Sequence, residues 1–255
     1  MSSKFDDSHT SFYPGPFSSI HKYHHRKMLV TFSSYNKENT IKAALSLLEQ
    51  ADIKADESLL NEIYDNKLFY KYYYILPFFR PKKSIKAYLE SFLFTDEIIL
   101  FENERELFNQ NFIDACGIFD IPIRFIKKET DSDTYSFISN EELIIKSDPS
   151  RINELVLKLA KEDYSRYPRL EIDIEHACTP FWKDGVNIRK YVPYVGLPQL
   201  LYRRIYEWGY EYLNFAFEYK SDFPYKYFEE SKWIFNELKS RIGQYVKITL
   251  SNSFM

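Results

Sequence analysis

The order of periodic segments predicts an α/β fold, and three observations carry that prediction. Short apolar runs alternate with amphipathic stretches between residues 27 and 126, which marks a parallel sheet with crossover helices. After Pro168 the order changes to strand, helix, helix, strand. The chain has 255 residues, 45% of them hydrophobic and 28% charged, enough for a sizeable core in one large or two modest domains. The expected architecture is a Rossmann-like parallel α/β layer over 27–165, packed against a C-terminal α+β unit over 166–255 with two helices on a small sheet. Residues 1–26 lack periodicity and read as an irregular lead.

Taken in order, Lys27–Ser33 (KMLVTFS) is a buried strand, and Asn36–Gln50 a helix with Ile41, Ala44, Leu45, Leu47 and Leu48 on its apolar face. Ser34 or Asn36 would cap it. Asp56–Tyr64 suggests a short helix. In Lys67–Phe79 consecutive aromatics favour a strand, which Pro77 ends or confines to an edge. Pro81–Phe94 has Pro near its first turn and an Ile85, Tyr88, Leu89, Phe92 stripe. Asp96–Phe101 is a strand, Glu104–Phe119 a helix and Ile121–Ile126 a strand. Thr134–Ile138 and Glu142–Ile145 are candidate partners beyond a charged turn. Pro149–Asp163 is a helix with Ile152, Leu155, Val156 and Leu159 on one face and Leu157 off it. Tyr164–Pro168 is the expected seam between the halves.

Leu170–Glu175 (LEIDIE) alternates, with Leu170, Ile172 and Ile174 to one side and Glu171, Asp173 and Glu175 to the other. Trp182–Gly185 is a turn. A helix opens at Gly196–Pro198 with Leu197, Leu200, Leu201, Ile205, Trp208 and Tyr212 as its stripe. A second runs Tyr227–Ile242 on Phe228, Ser231, Ile234, Phe235, Leu238 and Ile242, with Gly243 as its stop. Gln244–Leu250 closes as a strand able to join LEIDIE in one sheet. The tryptophans Trp182, Trp208 and Trp233 read as core anchors.

Several chemistries have no signature here. Six glycines are few for phosphate-cradling loops, and GxGxxG, GxxxxGK, GxSxG, HExxH and CxxC are all absent. Net charge is −3 and the sequence pI about 6.0, so no general attraction to nucleic acid is expected. No run reaches the ~20 apolar residues of a membrane span, and no signal peptide is evident. The expected location is cytoplasmic. Cys116 and Cys178 are too few for a disulfide framework or a Cys-rich zinc site, so neither metal nor cofactor is expected. Aromatics make up 18% of the chain, from compositional bias or from a Tyr-rich recognition surface.

Two constellations remain. Parallel α/β sheets bind ligands beyond the carboxyl ends of their strands, and the polar residues there are Ser33, Ser34, Glu102, Asn103 and Lys127. They could serve a nucleotide or nucleoside, or simply cap helices and meet solvent. Glu171, Asp173 and Glu175, followed by His176, form an acidic strand face: a cation site, a patch for a basic partner, or a solvated surface. Successive carboxylates on such a strand stand ~7 Å apart, too far for three to hold one ion.

The last quarter carries a further pattern: Trp182, Asp184, Gly185, then Gly196, Leu197, Arg204, Ile205 and Trp208, then Glu237, Leu238, Gly243 and Tyr245. This order resembles the C-terminal portion of immunity proteins of bacterial polymorphic toxin systems, with Pro198 where those proteins carry an acid. The resemblance implies a non-enzymatic cytoplasmic protein that occludes a cognate toxin; on that reading the acidic face, Glu171, Asp173, Glu175 and His176, with Asp184, supplies the expected partner-binding residues by charge complementarity. The alternative is an enzyme acting on a nucleotide or nucleoside at the strand ends.

Overall fold

A computed structural model describes residues 27–30, 37–52, 57–58, 60–61, 75–78, 82–105, 109–132, 134–138, 148–175, 178–219 and 225–251. It contains both helices and sheets, in two compact units divided between Ile152 and Asn153. The sequence places the seam at 164–168. The division falls earlier because the following helix bonds forward: Asp163 accepts from the Val195 amide at 2.9 Å and Tyr167 accepts from the Tyr194 hydroxyl.

The first unit is built on β1 (Lys27–Val30), β2 (Ile75–Phe78), β3 (Glu97–Phe101), β4 (Ile123–Lys128) and β5 (Tyr135–Phe137), in the order β2-β1-β3-β4-β5. The first four in that order run parallel, and β5 returns antiparallel to β4. Pro77 lies in β2 at one edge of this sheet, where a missing N–H breaks no second ladder. All of β3 is buried, as a central strand requires.

Helix α1 (Lys37–Gln50) lays Ile41, Ala43, Ala44, Leu47 and Leu48 against Leu29, Ile99, Phe101 and Ile126. Small alanines amid leucines let the helix sit close to the β-branched strand surface. Helices α2 (Ile85–Phe92) and α3 (Gln110–Phe119) pack on each other through Tyr88, Phe92 and Phe112, whose ring centroids stand 5.5–5.6 Å apart.

Two of these helices begin later than the sequence suggests. The expected Pro81–Phe94 helix starts at Ile85, because Ser84 caps it by accepting from the Ala87 amide. The expected Glu104–Phe119 helix starts at Gln110, because Asn109 accepts from the Phe112 amide at 3.1 Å. Glu102–Glu104 forms a separate 3₁₀ turn instead. Helix α3 ends with Asp120 left-handed at φ 53, the Asp120 amide bonding to Gly117 and Ile121 to Cys116, a Schellman closure without glycine. The expected segments 142–145 and most of 56–64 and 67–74 lie outside the described residues.

Helix α4 (Pro149–Arg166) leads into the second unit. Pro149 stands at its first position and Asp148 accepts from the Ser150 amide. The sheet, ordered β8-β7-β6-β9, uses β6 (Arg169–Ile172), β7 (Phe181–Lys183), β8 (Val186–Asn187) and β9 (Lys247–Leu250). Strand β9 runs parallel to β6, with Leu170 opposite Ile248 and Ile172 opposite Leu250. Asp184 and Gly185, at φ 50 and 76, make the two-residue turn between β7 and β8.

Two helices follow, α5 (Gln199–Tyr219) and α6 (Tyr225–Ile242). Phe181 meets Tyr202 and Tyr206 of α5 edge to face at 5.9 and 5.8 Å. Trp208, fully buried, donates from its indole N–H to the Tyr227 carbonyl of α6 at 3.1 Å.

Three expectations for these helices need correction. Leu200 is 71% exposed. Helical positions turn about 100° per residue, so Leu200 and Tyr202 fall on opposite sides of Leu201. The broad buried face takes Tyr202, Tyr206 and Tyr210 instead. Trp233 is 47% exposed, one position off the Ser231, Ile234, Leu238, Ile242 stripe, and so is no core anchor. Gly243 lacks the left-handed φ of a stop glycine. It is needed because a side chain there would strike the Lys239 carbonyl.

Candidate functional site

In the first unit the carboxyl ends of β3 and β4 are set level by their register, Phe101 opposite Ile126. The chain leaves β3 through the Glu102–Glu104 turn, closed by the Arg105 amide on the Glu102 carbonyl at 3.2 Å. That turn leaves Glu102 and Asn103 exposed and buries Glu104. Strand β4 continues two residues beyond the predicted end, carrying Lys127 and Lys128 outward into the turn that leads to β5.

Tyr135 comes back on β5 opposite Lys128. It is held at both backbone groups by α1: its amide donates to Ser46 Oγ at 3.2 Å, and Gln50 Nε2 donates to its carbonyl at 2.7 Å. Its ring meets Phe101 edge to face at 5.6 Å. With Asn39 from the first turn of α1, these residues enclose a cavity of about 300 Å³, lined by Asn39, Phe101, Glu102, Asn103, Ile126, Lys127, Lys128 and Tyr135. The floor of Phe101, Ile126 and Tyr135 is buried and largely apolar; the rim carries amides, one carboxylate and two ammonium groups. Small-molecule sites are usually lined mainly by apolar side chains with a few polar groups; here the polar rim outweighs the apolar floor.

Glu102, Asn103 and Lys127, named from the sequence, are thus brought together. Ser33 and Ser34 lie outside the described residues. Asn39, Lys128 and Tyr135 were not singled out. Asn39 had a signal, since the first turn of the helix after a strand faces the strand ends. Tyr135 had none, because its place depends on Ser46 and Gln50, far away in sequence.

The acidic stretch of the second unit does not form one row. Strand geometry stops at Ile172. The Asp173 amide still reaches the Pro180 carbonyl, but the Asp173 side chain accepts from the Ile174 amide and the Cys178 amide turns back to Glu175. A side chain that bonds its own backbone competes with the ladder. Glu171 faces Trp182 across the sheet, Ile174 is only half-buried, Glu175 is exposed, and His176 lies outside the described residues. Asp184 is a left-handed turn residue whose carboxylate meets Arg169 at 3.4 Å.

Nucleophilic and metal chemistry find little here. Burial pushes the Cys116 thiol well above its usual range; burial and then Glu175 raise Cys178. Both therefore stay thiols near neutral pH. Among the described residues no group of three His, Cys, Asp or Glu side chains could hold a metal ion, and no helix is long and apolar enough to cross a membrane.

No protein-family model, no curated protein and no solved structure matches the chain.

Proposed function

We propose that residues 22–152 form a Rossmann-like domain that binds a small polar molecule, of nucleotide or nucleoside type, at the carboxyl ends of β3 and β4. One observation carries this reading: residues picked out by strand-end position alone, Glu102, Asn103 and Lys127, line a single cavity with an apolar floor. The chain steps outward from β1 to β2 and then returns across β1 to β3, so the reversal at which open α/β sheets take ligands lies between β1 and β3, one strand over from this cavity and sharing β3 with it. The test is thermal unfolding of the full chain against a panel of nucleosides and nucleotides. A ligand at a hundred times its Kd stabilises by about 2.7 kcal/mol, a shift of several degrees that Glu102→Ala should remove. A panel in which no member raises the midpoint would overturn the proposal.

A second reading concerns the other unit. Tyr225 is 72% and Trp233 47% exposed, eight residues apart on α6 and therefore on one face, with the Glu229–Lys232 ion pair between them. Tyr and Trp are the residues that most often anchor protein interfaces. Together with the resemblance carried by Trp182 to Tyr245, this favours a cytoplasmic protein that neutralises a toxin by occlusion. On that reading contact centres on α6 rather than on the broken acidic row. Co-purification with the product of a neighbouring gene tests it; retention of that partner by a Tyr225→Ala, Trp233→Ala double variant would count against it.

A further inference from the structure

We infer that strand β9 is an association edge for a second copy of this chain, so that the four strands of one molecule's C-terminal sheet continue into the four of another. Neither the strand-end cavity nor the exposed face of α6 is involved. The backbone of β9 shows which groups are left over. Lys247 donates to the Pro168 carbonyl and Ser251 to the Ile172 carbonyl, so the odd-numbered residues bond inward to β6. Ile248 and Leu250 therefore turn their amides and carbonyls outward, where the strand order ends and no described strand lies beside them.

The other sheet edges among the described residues are blunted. Strand β2 carries Pro77, β8 is two residues long and β5 three. Strand β9 spans four residues without proline or glycine, and its one charged residue, Lys247, stands at its start. The core layer is also incomplete here. Leu170 and Ile172 of β6 are buried, whereas Ile248 and Leu250 beside them on the same face are half-buried. A row of outward N–H and C=O groups next to half-covered aliphatic side chains is what an added strand completes.

Self-complementarity identifies that strand. An antiparallel two-fold pairing centred on Thr249 sets Ile248 opposite Leu250 of the second copy, and each such pair exchanges its outward backbone bonds. The apolar row from Leu170 to Ile248 then runs on into Leu250 and Ile172 of the second copy. On the other face Thr249 meets Thr249, a favourable cross-strand pair. Lys247 falls opposite the neutral Ser251, so no like charges meet. Glu171, one strand in from Thr249, stands three strand spacings, about 14 Å, from its counterpart, beyond the screening length at physiological salt. A pairing centred on Ile248 would instead set Leu250 against Val246, whose amide already bonds to the Ile242 carbonyl. An edge of four residues is short beside a standard interface of about 1,200–2,000 Å², so the pairing is reversible and concentration-dependent.

The test is sedimentation velocity of the full chain from micromolar to near-millimolar concentration. The parent should pass from monomer to dimer across that range. Thr249→Lys and Thr249→Glu each set like charges face to face and should each weaken association roughly tenfold or more. Their equimolar mixture should restore it as a heterodimer. Thr249 is exposed and contributes only a 3.4 Å hydroxyl contact to the Leu170 carbonyl, so both variants should keep the parent circular dichroism. Amide exchange at Ile248 and Leu250 should slow as concentration rises. A parent that stays monomeric throughout overturns the proposal: fast exchange would then leave the edge to a different partner, and slow exchange would assign it to a segment of the same chain. A dimer that survives both Thr249 substitutions would place the contact elsewhere and overturn the pairing at β9.

Discussion

The two units solve one problem, seating irregular backbone against a core, in opposite ways. In the first the core is aliphatic and aromatic carbon: Leu29, Ile99, Ile126 and the α1 leucines on one side, Tyr88, Phe92 and Phe112 in another cluster. Polar fastening there runs through helix caps, the grip of Ser46 and Gln50 on Tyr135, and the ion pairs of Arg124 with Glu97 and Arg151 with Asp114. In the second, the irregular segment 188–198 is fastened by tyrosine hydroxyls. Tyr202 donates to the Tyr194 carbonyl at 2.6 Å and accepts from the Tyr194 amide at 3.0 Å, Tyr194 donates to Tyr167, and Tyr206 donates to Tyr191. Buried backbone polar groups must be paired, and here the phenols do the pairing. The tyrosines absorb the polar capacity of this unit into its architecture. In the first unit polar groups remain at the strand ends, around a cavity.

The contrast can be broken most forcibly at tryptophan. Trp208→Ala removes a fully buried indole and its hydrogen bond to the Tyr227 carbonyl, so a loss of about 3–5 kcal/mol is expected. Trp233→Ala, at a half-exposed position, should stay within about 0.5 kcal/mol. Urea unfolding followed by tryptophan fluorescence is well suited to the comparison, since all three tryptophans belong to the second unit. A costly Trp233→Ala would mean that α6 is covered on the face now seen exposed.

Removing single hydroxyls sharpens the same point. Tyr202→Phe leaves the Tyr194 carbonyl and amide without the partner that serves both, at about 1–3 kcal/mol for each stranded group. Tyr88→Phe in the first unit loses one long contact, 3.5 Å from Asn109, together with a backbone bond near Lys82, and should cost about 1 kcal/mol or less. Equal costs for the two variants would contradict the division drawn between the units.

This division also shows which features were legible from the chain. Strand and helix order could be read because period 2 and period 3.6 survive in the apolar residues, and the Asp184–Gly185 turn because it demands positive φ. Where a polar side chain overrides periodicity, the reading failed: Ser84 and Asn109 move two helix starts, and Asp173 ends a strand that hydrophobic alternation would extend to Glu175. Leu200 fails because an aliphatic side chain beside the stripe was counted into it, whereas that flank is taken by Tyr202 and Tyr206, phenols buried with their hydroxyls paired. Half of the cavity was legible for a related reason. Glu102, Asn103 and Lys127 follow from strand ends, but Tyr135 requires contacts 85 and 89 residues apart in sequence.

A smaller effect is expected from alkali. Burial raises the Tyr202 hydroxyl well above its ordinary pKa, and burial, then Asp163, raises Tyr194. The folded state therefore holds these protons at pH values where the unfolded chain releases them, above about pH 10. More protons bound to the folded form means that stability falls as pH rises. The contribution is complete below the unfolded pKa and declines from about pH 10 upward. Fluorescence-detected urea midpoints should drop across that range. The drop should shrink in Tyr194→Phe, which retains the packing but has nothing to titrate. An unchanged slope in that variant would assign the alkaline loss elsewhere.

The smallest stability effect belongs to the cavity rim, and it is the most informative about function. Asn103→Ala and Glu102→Gln alter exposed side chains in a turn closed by backbone bonds from Arg105, so each should shift the unfolding midpoint by no more than about 0.5 kcal/mol. By contrast Gln50→Ala, outside the cavity, removes its hydrogen bond to the Tyr135 carbonyl and should cost about 0.5–1.5 kcal/mol. It should also weaken whatever binds, because Tyr135 forms part of the floor. Rim variants that are silent in stability but not in ligand titration, beside a Gln50 variant that affects both, would separate the residues that contact a ligand from those that hold the site in shape. If Asn103→Ala and Glu102→Gln proved as destabilising as Gln50→Ala, the rim would be part of the scaffold, and the polar surplus of the first unit would have the same structural role as the tyrosines of the second.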